Sequence, residues 1–248
     1  MDIISSTQNR LVKLARSLAK RKSRVETGLF LVEGVNLLRD MADGVEVKFV
    51  FATPTRFDEA QEMFYARKVE DGIFCVSDAV MDSLADTATP YGIAAVCKIP
   101  SERFDIPLGN ALLLDGVSDP GNIGTIMRTA VACDFCDIYL LDTVDLYSPK
   151  AIRATLGALF KARVCNIDEA QALTLLHNCN SAVLDMGGDN IIGAEIDAPV
   201  LFVAGNEAHG VRESLKREAK HIYSLPMKNQ IESLNVAVAT AVAMYQTV

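Results

Sequence analysis

The feature that most narrows the fold is a series of short, near-continuous apolar runs separated by segments of helical periodicity. ALLLDGV (111–117), DIYLLD (137–142), ARVCNI (162–167), SAVLDM (181–186), PVLFVAG (199–205) and HIYSLPM (221–227) each read as a strand. A strand that is apolar on both faces must be covered on both, which is the signature of a parallel sheet rather than of an antiparallel sheet with one wet face. Helices expected over 123–133, 149–161, 168–178, 211–219 and 233–246 provide that cover. The expected class is therefore α/β, a mostly parallel sheet with helices on both sides.

The first hundred residues repeat the alternation on a smaller scale. Leu11, Leu14, Ala15 and Leu18 recur at helical spacing and suggest one helix over 7–22. Strand LFLVEG (29–34), a helix over 35–42, strand KFVFA (48–52), a helix over 57–69 and strand IFCVS (73–77) follow. Asp78 can cap a short helix over 79–85, and ATPYGIAAVCKIP (88–100) reads as a turn and a strand. The segment KIPSERFDIPLGN (98–110), with two prolines, a glycine and mixed charge, is the natural linker. It divides the chain into a domain over 1–100 and another over 107–248, and 248 residues suffice for two modest cores.

No apolar run approaches the roughly 20 residues of a membrane-spanning helix, and MDIISSTQNR lacks a signal-peptide core, so a cytoplasmic protein is expected. There, Cys75, Cys97, Cys133, Cys136, Cys165 and Cys179 are most simply buried free thiols. Cys133-Asp-Phe-Cys136 closes a helix instead of opening one, so it reads as structural, not redox-active. The net charge of −8 argues against nucleic acid as a partner until its distribution is considered. Residues 1–24 carry seven bases and one acid, a charge of +6, which leaves −14 on the remainder. A basic arm on an acidic body is compatible with phosphate contact, as well as with a solvated helix face.

Three clusters carry candidate chemistry, each at a strand-to-helix junction, the edge where open α/β sheets bind ligands. In DGVSDPGNIGTIMRTA (115–130), Pro120 and Gly121 make a turn and Asn122 can cap the helix. Arg128 lies off the apolar stripe of that helix, and its planar fork suits phosphate. Alone, its plainer reading is a surface arginine. The spacing GNIG is not a dinucleotide fingerprint, since it lacks the G-x-G-x-x-G pattern. In LFVAGNEAHGV (201–211) an apolar strand ends in Gly205-Asn206-Glu207, with Gly210 following. Glu207 can orient a donor or pair with a base. His209 has no partner at zinc-ligand spacing, and no metal is expected. In SLPMKNQIESLNVAVATAVAMYQ (224–246), Glu232-Ser233-Leu234-Asn235 opens a helix apolar nearly all round, which must be buried, and a second subunit is one way to cover part of it. Ser233 can simply cap that helix.

Together the clusters resemble the three motifs of the SpoU (TrmH-type) RNA ribose methyltransferases of the SPOUT superfamily. The matching residues are Asn122, Gly124 and Arg128-Thr129-Ala130; Gly205-Asn206-Glu207 with Gly210; and Pro226-Met227 with Glu232-Ser233-Leu234-Asn235. The intervening LYSPKAIRATLGALFKARV (146–164) matches as well. SSTQNRLVKLARSL and GLFLVEG resemble the L30e-like, RNA-binding domain often joined to this catalytic domain. The resemblance implies a trefoil-knotted C-terminal domain, a homodimer with its active site at the subunit interface, and S-adenosylmethionine as methyl donor. It implies Arg128, Asn122, Glu207, Ser233 and Asn235 as catalytic residues and Gly205, Leu225, Met227 and Leu234 as cofactor contacts. Structured RNA is then the partner, through Arg10, Lys13, Lys20, Arg21, Lys22 and Arg24. Large-subunit (23S) ribosomal RNA is the first expectation, transfer RNA the alternative, and a non-catalytic RNA-binding protein of the same fold a third reading. Asn229 stands where the family usually has glycine, and asparagine is among the residues that best tolerate left-handed geometry.

Overall fold

The computed structural model describes residues 2–41, 44–84, 90–229 and 233–248. Glu232 of the third cluster, the last residues of the helices expected over 35–42 and 79–85, and the start of the 88–100 segment lie outside them. The chain divides into two units: Met1–Ser101 with Asp145–Phe160, and Glu102–Val144 with Lys161–Val248.

The first unit is built on a four-stranded mixed sheet in the order β1-β4-β2-β3, with β1 Leu29–Glu33, β2 Val47–Ala52, β3 Ile73–Cys75 and β4 Ile93–Lys98. Strand β4 runs antiparallel to both β1 and β2, and β3 is parallel to β2. Phe49, Phe51 and Val96 form the centre of a core that takes Val12, Ala15 and Leu18 from one side. The helix expected over 7–22 is two helices, α1 Arg10–Ser17 and α2 Arg21–Thr27. After Leu18 the sequence Ala19-Lys20-Arg21-Lys22 offers no large apolar side chain to hold another turn on the core. The carbonyl of Leu18 instead accepts from Nη1 of Arg24 at 2.5 Å.

That bond changes the role of Arg24. Expected to contact RNA, it is 3% exposed. Its Nη2 and Nε bond Oδ2 of Asp145 at 2.6 and 3.1 Å. A guanidinium spent on a carboxylate and a carbonyl inside the unit is not available to phosphate. Together with the Phe30–Tyr147 ring contact at 5.0 Å, it fixes the segment Asp145–Phe160, including α7 Pro149–Thr155, in this unit. Arg10, Lys13, Lys20, Arg21 and Lys22 are exposed. The helix expected over 149–161 ends early because Leu156 takes a left-handed conformation (φ 46°). Helices α3 Val35–Asp40, α4 Phe57–Met63 and α5 Asp78–Leu84 complete the unit.

The second unit holds a six-stranded sheet in the order β10-β8-β9-β5-β6-β7. Its strands are β5 Ala111–Asp115, β6 Asp137–Leu141, β7 Arg163–Asn166, β8 Asn180–Asn190, β9 Val200–Ala204 and β10 His221–Ser224. Every pairing is parallel, as the doubly apolar runs require. Leu201 and Val203 pack with Ala172, Leu175 and Leu176 of α8 Glu169–Asn178 and with Leu215 of α9 Glu213–Glu218. Phe202, pointing the other way by the two-residue period of a strand, stacks on Phe135 just beyond α6 Pro120–Ala132. Helix α10 Val236–Tyr245 packs on α6. Cys133 caps the end of α6, and all six cysteines are free.

Candidate active site at the carboxyl edge of the parallel sheet

Strand β9 ends between β5 and β8, and the loop after it, residues Leu184–Met186 within β8 and the segment after β10 line a cavity of about 450 Å³. Gly205, Leu225, Met227 and Leu234, the four expected cofactor contacts, all line it, as do Glu207 and Ser233. The wall after β9 depends on glycine. A Cβ built at Gly205 would collide with the carbonyl carbon of Gly210 and the amide of Val211, so the loop closes only if this side chain is absent. Gly210 sits at φ +69°, and its amide and carbonyl exchange hydrogen bonds with Asn206 at 2.9 and 3.1 Å.

Asn206 ties this loop to the turn after β5. Its Nδ2 donates to the carbonyl of Gly116 at 2.7 Å, and its Oδ1 accepts from the amides of Ala208 and His209 at 2.8 and 3.2 Å. Arg212 fastens the loop's far end. Its amide and Nε bond the two carboxylate oxygens of buried Asp115, each at 2.8 Å, while Nη2 reaches Asp142 at 2.9 Å. The Asp115 bonds, ahead of the desolvation that opposes them, raise the Arg212 pKa further above its ordinary value.

The cap of α6 is Asp119, not Asn122. Its Oδ1 accepts from the Asn122 amide at 2.9 Å, and the helix begins at Pro120. The Asp-Pro pair carries that signal, since proline suits the first helical position. Freed from capping, the Asn122 side chain joins a chain of three residues. Its Nδ2 donates to Oε1 of Glu207 at 2.7 Å, and its Oδ1 accepts from Nδ2 of Asn235 at 2.8 Å. Asn235 in turn caps α10, accepting from the amides of Ala237 and Val238, so capping does not fall to Ser233. Ser118 Oγ donates to Glu207 at 3.4 Å. Partial burial pushes the Glu207 carboxyl up, but hydrogen bonds from Asn122 and from the amides of Glu207, Ser118 and Asp119 outweigh it and hold its pKa below the ordinary value. The carboxylate is therefore ionised and acceptor-only at neutral pH, and that fixes which way each amide in the chain points.

Arg128 is exposed on α6, does not line the cavity and makes no hydrogen bond or ion pair among the described residues. The expected convergence of all the catalytic candidates is thus incomplete within one chain. Six residues separate Arg128 from Asn122, which turns it about 240° around the helix. Asn229 adopts φ 57°, the left-handed geometry in which asparagine can replace glycine. Sequence reasoning missed Asp185 and Lys216, which pair across the cavity wall at 2.6 Å. An isolated acid on β8 and a lysine on α9 carry no local signal that they meet.

Apolar side chains together with Glu207 and the Asp185–Lys216 pair make this a site for a small organic molecule that carries both apolar and polar groups. Comparison with known proteins gives the same direction. Residues 109–245 match the SpoU rRNA Methylase family, and residues 9–95 match the MRM3-like substrate binding domain. The 23S rRNA (guanosine(2553)-2'-O)-methyltransferase RlmP of Bacillus subtilis (strain 168) is 32% identical, over 99% of this chain and 98% of its own. The 23S rRNA (uridine(2479)-2'-O)-methyltransferase of Streptomyces viridochromogenes is 26% identical, over 99% and 91%. The crystal structure of AdoMet-bound rRNA methyltransferase from Sinorhizobium meliloti superposes with a TM-score of 0.89 at 25% identity, covering 99% of this chain and 96% of that one.

Proposed function

The chain belongs to the SpoU rRNA methylase family, and from that premise we propose that it methylates a ribose 2′-hydroxyl of 23S ribosomal RNA with S-adenosylmethionine as donor. The observation that carries the reading is the gathering of Gly205, Glu207, Leu225, Met227, Ser233 and Leu234 around one cavity, with Asn122 and Asn235 bonded in series to Glu207. The cavity volume lies within the range of small-molecule sites. When bound there, the donor supplies an electrophilic methyl on a sulfonium.

What remains for the protein is to hold a hydroxyl in line with that methyl, and alignment alone can contribute several kcal/mol. Asn122 and Asn235 each keep one amide hydrogen beyond the bonds described, and these are donors for the substrate ribose. Glu207, held below the ordinary carboxylate range, is a weak base and acts by orienting Asn122. The guanidinium of Arg128 offers donors and no acceptor, so it anchors an RNA phosphate and stabilises developing alkoxide charge.

Arg128 completes the site as Arg128 of the partner subunit. Helix α10 supports a homodimer because it leaves Val238 and Tyr245 exposed, 48% and 56%, on one face, with Leu234 beside them. The same reading carries the trefoil-knotted path of the last strands and a cytoplasmic location. No helix among the described residues is long and apolar enough to cross a membrane.

Two measurements test the proposal. Purified protein is incubated with methyl-labelled S-adenosylmethionine and protein-free bacterial 23S rRNA, and 2′-O-methylation is mapped at nucleotide resolution in cells with and without the gene. Arg128→Ala should abolish label transfer and leave donor binding by calorimetry within about twofold. Label on transfer RNA alone, or wild-type turnover by Arg128→Ala, would contradict it.

A further inference from the structure

A second cavity, of about 400 Å³, lies wholly within the first unit. Its floor is apolar, formed by Leu31, Leu37, Leu84 and Ile152. Its rim carries Arg16 of α1 and Lys150 and Arg153 of α7, with Glu33 the one carboxylate among the described residues that line it. Lys13, one turn before Arg16, continues the exposed basic face of α1 away from this cleft. Two helices thus present cations across an apolar-floored groove, on a protein whose net charge is −8.

The groove exists because Arg24 is buried. Its ion pair with Asp145 and the Phe30–Tyr147 contact hold the segment 145–160 in this unit, which brings Lys150 and Arg153 opposite Arg16. Without that anchor the two α7 cations would have no reason to face α1. Clustered cations beside apolar surface fit an RNA strand, whose phosphates take the charges while a base or sugar covers the apolar floor. Lysine gives a point charge to phosphate and arginine a planar fork, and both kinds line the cleft.

We infer that the cleft bounded by Arg16, Lys150 and Arg153 is a phosphodiester-binding site through which the first unit grips its RNA, distinct from the basic stretch 20–22. The inference rests on RNA being the substrate, as proposed above, but not on the methyl-transfer chemistry.

The test uses the full-length protein and filter binding of a radiolabelled, protein-free bacterial 23S rRNA transcript between 50 and 300 mM salt. Arg16→Ala combined with Lys150→Ala should weaken binding about tenfold and flatten the log–log salt dependence by about 1.5, since each lost phosphate contact removes roughly 0.7–0.9 from the slope. Donor binding by calorimetry and the thermal midpoint should stay at wild type, which separates a lost contact from a lost fold. Lys68→Ala, an exposed cation of the same unit outside the cleft, should bind as wild type. Wild-type affinity and slope in the double variant would overturn the assignment. So would an equal loss in Lys68→Ala, which would make the effect one of net charge. Loss of affinity at the cleft in a protein that never labels RNA would support the cleft while removing the methyl-transfer reading.

Discussion

Replacing Arg24 separates a structural role from an RNA-contacting one. Arg24→Met keeps most of the buried stem and removes the guanidinium. Three bonds go with it: Nε and Nη2 to Asp145, and Nη1 to the Leu18 carbonyl. The Arg24 side chain is 4% exposed and that of Asp145 18%, so the orphaned carboxylate is largely cut off from water. Breaking such a pair from one side costs about 3–5 kcal/mol. Asp145 keeps the Tyr147 amide at 2.9 Å on its other oxygen, which places the cost near about 3 kcal/mol. For a unit of this size that is roughly a 10–15 °C drop in its own unfolding midpoint. The assay is urea unfolding followed by hydrogen exchange, so that the first unit is read separately from the second. Asp145→Leu in the Arg24→Met background should recover all but about 1 kcal/mol, because an ion pair replaced on both sides by apolar groups is close to neutral. An Arg24→Met protein of wild-type stability whose RNA salt slope falls by about one phosphate contact would refute this reasoning and restore Arg24 as an RNA ligand.

Glu207→Gln should lower kcat by about tenfold or more, through loss of a charge-assisted bond to Asn122 worth about 1.5 kcal/mol at this exposure, with donor affinity little changed; rapid-quench turnover and calorimetry separate the two. Because the folded Glu207 pKa lies below the ordinary 4.5, its contribution is fully present above that value and is lost only as pH falls through the lower folded value, so kcat should show no Glu207-dependent fall between pH 6 and 8. Asp115→Asn should destabilise the second unit by about 2 kcal/mol and weaken donor binding, since Arg212 then loses its charged anchor at the end of the Gly205–Gly210 loop; denaturation and calorimetry read both. Asn229→Gly should be neutral within about 0.5 kcal/mol, whereas Asn229→Val should lose at least about 1–2 kcal/mol and reduce donor affinity, because φ 57° excludes a β-branched side chain. Val238→Glu should give a monomer by analytical ultracentrifugation with no methyl transfer, and an active monomer would remove the shared site.

How much of this was legible in the sequence depends on the range of each interaction. Runs such as ALLL and LFVA could be read directly, because a strand buried on both faces tolerates almost no polar residue. The Asp168 and Gln171 capping box on α8 is equally local. The break between α1 and α2 was not legible, because it depends on Arg24 reaching Leu18 and Asp145, the second of these 121 residues away. The apolar runs also predict a parallel sheet without ordering it: β9 between β8 and β5 follows from packing that no strand's own composition records.

The site shows the same division more sharply. Motif spacing placed Asn122, Glu207 and Asn235 at strand ends, but what they do depends on bonds spanning 85 and 113 residues. The polarity of the chain has two fixed ends. At one, ionised Glu207 can only accept, so Asn122 must turn its amide nitrogen toward it. At the other, the first free amides of α10 can only donate, so Asn235 must turn its oxygen toward them. The bond between the two asparagines then has one possible direction, and each retains one N–H. A site whose remaining hydrogens are both donors holds a hydroxyl by its oxygen lone pairs. It supplies orientation, which is why Glu207→Gln should act through the geometry of Asn122 and why Glu207→Asp, which shortens the reach to Nδ2, should be no better.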